Sequence, residues 1–581
     1  MHTKLFESSM LLASAAALAL TLAPLRAQAC GGTFCDVGPS VMPVDQSGEN
    51  ILFWIDQNDG QPHTEAHIQI QYEGDPERFA WLVPVSTVPE VLVGSQALFD
   101  NVLAATVPTI TLNSRFDGDC GFGDDAIGCG FAMMDESLAG FGGDEIGDGD
   151  GDFGEDGPTI LDRGFAGAFQ YVVLTGSSVE VIVDWLDAAG YAQDPDAPPI
   201  LQEYLQEGFV FVAFKLRGGL GVNEIHPLVI RYPGIEPCIP LRLTRIAATE
   251  DMAIRALFLG HQRAVPQNWP HVALNWAKFD WVSFGFQTYQ GLVADAIDEA
   301  GGRAFVTEYA GTDAVVSTTR IKDSAWNAAA FVDIEPIAVV DELVAQELLE
   351  CEVLSGECRF RHPQVQPLLS RYLPPPEGVP AEQFWQCLEC YAELLDPQAW
   401  QALPGFAAEF EERISGPGEH ALEMLSEASY LTRLYTLISP HEMLDDPLFH
   451  ESSSLGTVDS AITATRVNSC DDGPSYIELA TDRGVRQVAL EDFATYPDFP
   501  AMPSAERIER VPMMGPPQVE TDNSAQIDDI IDEYNRDKLV GPSPWSCSIA
   551  RMRPEALLTM LALFGLAWTQ RAPRAARRAR D

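Results

Sequence analysis

The sequence predicts an α+β fold: a β-rich body with a helical segment in its second half, an acidic Gly-rich insertion and a C-terminal membrane helix. Three observations predict it. Short apolar or alternating runs bounded by turn residues fill residues 50–116 and return over 428–492. Apolar residues at helical spacing lie between strand-like runs, and a long crossover between two strands argues against a plain sandwich. The two greasiest stretches sit at the extremities of the chain.

In chain order, Ile51 to Ile55 is a short apolar run, and Gln57-Asn58-Asp59-Gly60 supplies turn chemistry. Thr64 to Tyr72 alternates, with Ile68, Ile70 and Tyr72 on one face and His67, Gln69 and Gln71 on the other; that polar face is expected to meet solvent. Phe79 to Val85 is a third strand, Leu98 to Ala105 a helix, and Thr109 to Leu112 a strand. Residues 114–158 are dominated by Gly, Asp and Glu and read as a long insertion into a region spanning 30–260. Strands follow at Gln170–Leu174, Phe209–Leu216, Leu228–Tyr232, Leu241–Ala248 and Ile254–Leu259, with helices at Val179–Ala189 and Pro198–Glu207. Residues 261–499 continue the same body. They carry a helix at Tyr289–Glu299, a strand at Ala304–Glu308, helices across 336–415 that include Gln383–Leu395, and a hairpin turn at Thr481-Asp482-Arg483-Gly484. Residues 500–546 are Pro-rich and acidic and read as a stalk.

The ends read as addresses. Lys4, the apolar run Met10–Leu22 and the small-x-small pattern Ala27-Gln28-Ala29 form a secretory signal peptide over 1–29, with cleavage after Ala29 and Cys30 as the first mature residue. Ala27 stands where a lipobox prefers Leu, which favours soluble cleavage over lipidation. In the tail, 547–581, an apolar helix of 16 residues counted from Pro554 to Thr569 is followed by Arg571, Arg574, Arg577, Arg578 and Arg580. At ~1.5 Å per residue it reaches ~24 Å, short of a ~30 Å hydrocarbon core. The basic end stays cytoplasmic and leaves the body outside. The arrangement resembles the MYXO-CTERM type of sorting signal, which implies a sorting protease and a processed cysteine, by position Cys547. The tail departs from the usual Gly- and Cys-rich form, and a permanent single-span anchor is the alternative.

Composition bounds the partners. Lys+Arg is 35 against Asp+Glu 86, a net charge of −51, and the chain without its two ends keeps 26 basic and 83 acidic residues. Such a surface repels phosphate backbones, so nucleic acid is excluded as a partner; the membrane, reached through the C-terminal helix, and the export machinery are the expected ones, with any protein or ligand partner left open. Of 11 cysteines, ten remain beside Cys547, an even count that suits disulfides in an exported chain. Cys30 with Cys35, Cys120 with Cys129, Cys351 with Cys358, and Cys387 with Cys390 are candidates by proximity alone.

A family resemblance rests on blocks spread along the body: Cys30-Gly31-Gly32-Thr33-Phe34-Cys35, Pro43-Val44-Asp45-Gln46, Phe79-Ala80-Trp81-Leu82-Val83-Pro84-Val85, Glu236-Pro237-Cys238-Ile239-Pro240-Leu241-Arg242, Phe305-Val306-Thr307-Glu308-Tyr309-Ala310 and Leu431-Thr432-Arg433-Leu434-Tyr435. Together they resemble the bacterial domain-of-unknown-function family 2330 over most of 30–450. The resemblance implies an exported bacterial protein and assigns no catalytic residue.

No constellation outweighs its bland reading. Cys387-Leu388-Glu389-Cys390 is a C-x-x-C, but flanking Glu389 and Glu393 disfavour a thiolate, and a structural disulfide is expected. With Cys351 and Cys358 the spacing is too loose for zinc knuckles. Asp148, Asp150 and Asp152 offer alternating carboxylates for Ca²⁺, yet Phe153 and Thr159 stand where an EF-hand loop needs Gly and Glu, so a solvated acidic loop is the plainer reading and no cofactor is expected beyond such weak cation binding. His441-Glu442 lacks the second His of H-E-x-x-H, and neither G-x-S-x-G nor a phosphate loop occurs. The expectation is a non-enzymatic structural or binding module; an exported hydrolase with dispersed residues, and a thiol oxidoreductase using Cys387 and Cys390, are the alternatives.

Overall fold

A ten-stranded mixed sheet forms the backbone of the molecule, built from β1 (Asp45–Asp56), β2 (His63–Glu73), β3 (Glu90–Val93), β4 (Leu228–Pro233), β5 (Ala248–Gly260), β6 (His271–Leu274), β7 (Phe305–Gly311), β8 (Tyr430–Ile438), β9 (Ala505–Arg510) and β10 (Gln518–Asp522). Across the sheet they run β10-β9-β6-β7-β8-β5-β1-β2-β4-β3. Two neighbour pairs, β1 with β5 and β6 with β7, are parallel, and the rest antiparallel. The computed structural model describes residues 33–36, 45–56, 62–73, 79–117, 157–188, 191–192, 196–217, 220, 224–351, 358–469, 474–481, 483–491, 495–536 and 538–539.

Alternation along β1 and β2 divides the sheet into two faces. Ile51, Phe53, Ala66 and Ile68 point to one core, which they share with Trp81, Val83, Val85, Val212 and Phe214 of a second, six-stranded sheet. In that sheet Thr33–Asp36 pairs with Phe79–Val85, Thr33 opposite Trp81 and Cys35 opposite Phe79, so the first and third family blocks are hydrogen-bonded neighbours. The last two blocks, Phe305–Ala310 and Leu431–Tyr435, are also paired, Val306 opposite Tyr435. Leu52 and Trp54 point to the other face, under α1 (Gln96–Thr106) and α3 (Gly416–Glu427), with α2 (Phe286–Glu299) lying further along the chain between them. Ser95 caps α1 by accepting from the Leu98 N–H at 3.2 Å, worth about 1 kcal/mol, and α1 then buries Leu98, Phe99 and Val102. A separate helical core gathers residues 326–414 around Phe331, Trp385, Phe406 and Phe410.

The body is thus the expected β-rich α+β arrangement, with four departures. Leu241–Thr244 is one helical turn rather than a strand, because Pro240 starts it and Thr244 bonds its own turn at Pro240 O. The helix expected over 383–395 breaks at Cys387, ending one helix at Gln386 and beginning a 3₁₀ segment at Leu388. Residues 505–535 of the expected stalk belong to the body: β9 pairs with β6, β10 pairs with β9, and α4 (Ser524–Asn535) buries Ile527 and Ile531. His67, expected on a solvated face, is 2% exposed, because α3 covers that face. Among the described residues no helix is long and apolar enough to cross a membrane; the signal-peptide region, residues 118–156 of the expected acidic insertion and the C-terminal helix lie outside them, while residues 114–117 of that insertion continue the strand Thr109–Asp117.

Candidate functional site

The covered face of β2 carries the chemistry. Glu65 and His67 are two apart on the strand, so both point to the same side. Register sets Glu65 between Trp54 on β1 and Arg231 on β4, and His67 between Leu52 and Val229. From above, α3 delivers His420. Its Ala421 and Met424 share a core with Leu52 and Trp54 of the sheet, and Gly418 lets the helix pass close to the Ile321 carbonyl.

Glu65 Oε2 is the shared point. It lies 3.0 Å from His67 Nε2 and 2.7 Å from His420 Nε2. The three candidate ligand atoms fall within 4.8 Å of one another. The second carboxylate oxygen, Oε1, accepts from Arg231 Nε at 2.7 Å, and Arg231 reaches on to Glu90 at 3.1 Å. Behind His420, Nδ1 faces Glu423 Oε2 at 3.5 Å. Ring packing fixes the imidazoles: His67 and His420 are stacked at 6.1 Å, and Trp54 sits edge-on to His420 at 5.6 Å. Glu65 and His67 are buried, whereas the His420 side chain keeps 24% exposure and forms the solvent side of the cluster.

Burial acts to raise the Glu65 carboxyl, but hydrogen bonds from His420 and His67 and their charge hold it well below the usual carboxylate range. Burial lowers His67 and outweighs Glu65. At His420 burial also acts downward, but the bond to Glu65 raises it overall. Two imidazoles and one carboxylate on one point form a donor set suited to a borderline divalent transition ion, with Arg231 and Glu423 as the groups that orient the ligands.

Residues singled out from the sequence lie elsewhere. Ala29, Cys30, Cys120, Cys129, Asp148, Asp150, Asp152 and Cys547 fall outside the described residues, and of Cys35 only the backbone is described. Cys387 and Cys390 close a disulfide. Cys358 is disulfide-bonded and faces Cys351 across a short antiparallel ladder. Cys238 is a free cysteine whose thiol burial pushes up, away from reactivity. The one signal in the sequence for the actual cluster was the Glu-x-His spacing on a strand, since His420 is 353 positions from His67 in the numbering.

A family model described as an uncharacterized protein conserved in bacteria (DUF2330) matches residues 24–326. The chain belongs to this family. The DUF2330 match takes in Glu65, His67 and Arg231, while His420 lies beyond its end. No curated protein and no solved structure matches.

Proposed function

We propose that this DUF2330 protein is an exported module, held at the cell envelope by its C-terminal tail, that binds a divalent transition metal ion through Glu65, His67 and His420. One observation carries the metal reading: three ligand atoms from a strand and a helix 353 residues apart converge within 4.8 Å. The donor chemistry supports it, since neutral imidazole nitrogens and a carboxylate oxygen suit Zn²⁺, Co²⁺ or Mn²⁺ more than Ca²⁺ or Mg²⁺. Exposure at His420 leaves a route for an ion to enter. Binding displaces the protons that now join the two histidines to Glu65, so affinity rises with pH. Export is supported by the signal-peptide pattern of residues 1–29, by the apolar stretch and Arg cluster of the tail, and by the Cys387–Cys390 disulfide.

The metal reading is tested by titrating the chelator-stripped body with Co²⁺. Expected are one equivalent bound, with ligand-field absorption, and its loss in Glu65→Gln and His420→Ala. A wild-type body that takes up neither Co²⁺ nor Zn²⁺ ends the reading. For the tail, intact-mass analysis of membrane-extracted protein is expected to show a terminus near Cys547; an unmodified chain ending at Asp581 would defeat processing.

A further inference from the structure

We propose that an apolar groove on the helical core of residues 326–414 docks an amphipathic helix of a partner protein, one whose apolar face is bordered by lysine or arginine. The groove holds about 520 Å³ and lies between the 3₁₀ turn Ala328–Phe331, with the loop that follows it, and the helix Phe406–Phe410. None of Glu65, His67 and His420 lines it, so it stands apart from the metal candidate.

Its floor is aromatic. The buried rings of Phe331 and Phe406 meet at 5.1 Å, and half-buried Trp400 stacks on Phe406 at 5.9 Å. Ala329 and Ala408 on the walls are too short to close over these rings. The apolar surface continues past the rim: Val332 is 66% exposed, and Leu403, next to the lining Pro404, is 84% exposed. Apolar surface left to water around a concave floor marks a docking face, which single exposed side chains do not.

Backbone accounting selects a helix. No strand of the described residues lines the groove, so an incoming main chain finds no ladder to join. A partner laid there must satisfy its own N–H and C=O groups, as a helix does while presenting one apolar stripe.

Charge selects the kind of helix. Glu411 is the one charged residue lining the groove, and exposed Asp333 and Glu335 flank the lining Val332 and Ile334. Residues 326–414 contain no lysine. Of their arginines, Arg371 and Arg413 are bonded to Glu409, Arg361 lies 3.6 Å from Glu347, and Arg359 stands opposite Glu350 on a short ladder. None of the four lines the groove. Acidic borders on a partner are repelled at such a rim, and basic ones are steered to it.

Fluorescence anisotropy of labelled peptides on the purified protein tests this. The probes are an amphipathic Leu/Lys helix, the same peptide with every Leu replaced by Gln, and the same peptide with every Lys replaced by Glu. The Leu/Lys peptide is expected to bind at least about tenfold more tightly than the Gln/Lys peptide, and the Leu/Glu peptide not to bind. Val332→Asp and Leu403→Asp sit at the surface, where the fold tolerates them, and each adds negative charge. A purely electrostatic association would therefore tighten, whereas docking in the groove is expected to weaken about tenfold. Equal affinity for the Leu/Lys and Gln/Lys peptides, binding of the Leu/Glu peptide, or undiminished binding in both variants overturns the proposal. So does a wild-type protein that self-associates and becomes monomeric in Val332→Asp, since the occupant is then a second copy.

Discussion

The backbone N–H of Ala168 donates to Nε2 of His226 at 2.8 Å, while Nδ1–H of the same ring donates to Pro227 O at 2.9 Å. Both ring nitrogens are therefore committed with the ring neutral, and a proton on Nε2 would meet another donor. Burial, helped by Arg413, pushes His226 down to about 3. Unfolded, the ring takes its proton near 6.5, so the unfolded state binds more protons between pH 6.5 and 3. Stability is expected to fall as pH drops through that window, by up to about 1.4 kcal/mol per pH unit from this ring. His362, also lowered to about 3 by burial, adds a second contribution of the same sign. Urea unfolding from pH 7 to 4.5 checks this: His226→Gln should flatten the slope, and an unchanged slope contradicts the assignment.

Arg413 anchors the helical core to the rest of the body. It is 2% exposed and bonds Glu224 Oε2 at 2.9 Å, Glu409 Oε2 at 3.2 Å, the Glu224 carbonyl and Gln364. Removing one partner of a buried charge cluster strands the others. Arg413→Met is expected to cost about 3–5 kcal/mol, read by urea denaturation. Arg371 still bonds Glu409 at 2.8 Å, so a loss well beyond that range would mean the whole lobe had come away.

The strands at Phe79–Val85 and Val210–Leu216, and the Thr109–Leu112 half of the strand Thr109–Asp117, were legible because period-two alternation or a short apolar run is a local property; residues 114–117, read as the start of the acidic insertion, continue that strand. The site was not. Alternation correctly put His67 opposite Ile68, but a polar face reads as solvated until something covers it. The cover, α3, comes more than 340 residues later and carries no mark of its destination. The supposed stalk misled for a related reason. Arg507, Glu509 and Arg510 give β9 a charged composition, and pairing with β6 and β10, with Ala505 and Ile508 buried in the core, overrides it.

How closely α3 packs on the turn segment around Ile321 depends on Gly418. A Cβ there would stand 2.3 Å from the Ile321 carbonyl oxygen, a backbone atom that cannot rotate away. Gly418→Ala is expected to cost about 1–3 kcal/mol and to lift His420 from Glu65. Co²⁺ affinity should then fall at least about tenfold. Gly291→Ala in α2 is the control: a Cβ there meets nothing within 4 Å, and removing a helical glycine should stabilise by about 0.5–1 kcal/mol. A Gly418→Ala protein with wild-type Co²⁺ affinity would show that the position of α3 does not matter to the site.

Glu49 makes the opposite pH prediction from His226. It sits on β1 opposite Ile254, 3% exposed, with Oε2 lacking a hydrogen bond among the described residues. Burial pushes its carboxyl from the usual 4.5 up to about 7. Unfolded, it loses its proton near 4.5, so between pH 4.5 and 7 the native state holds more protons than the unfolded one, and stability falls as pH rises. Glu49→Gln keeps the shape without the ionisation. It should match wild type at pH 4.5 and exceed it by up to about 3 kcal/mol above pH 7, because the charged carboxylate must otherwise be held in the core. Denaturant titrations of the two proteins at pH 4.5 and 8 measure that difference directly. If the gap is the same at both pH values, Glu49 carries a partner for its charge, and its burial costs nothing at neutral pH.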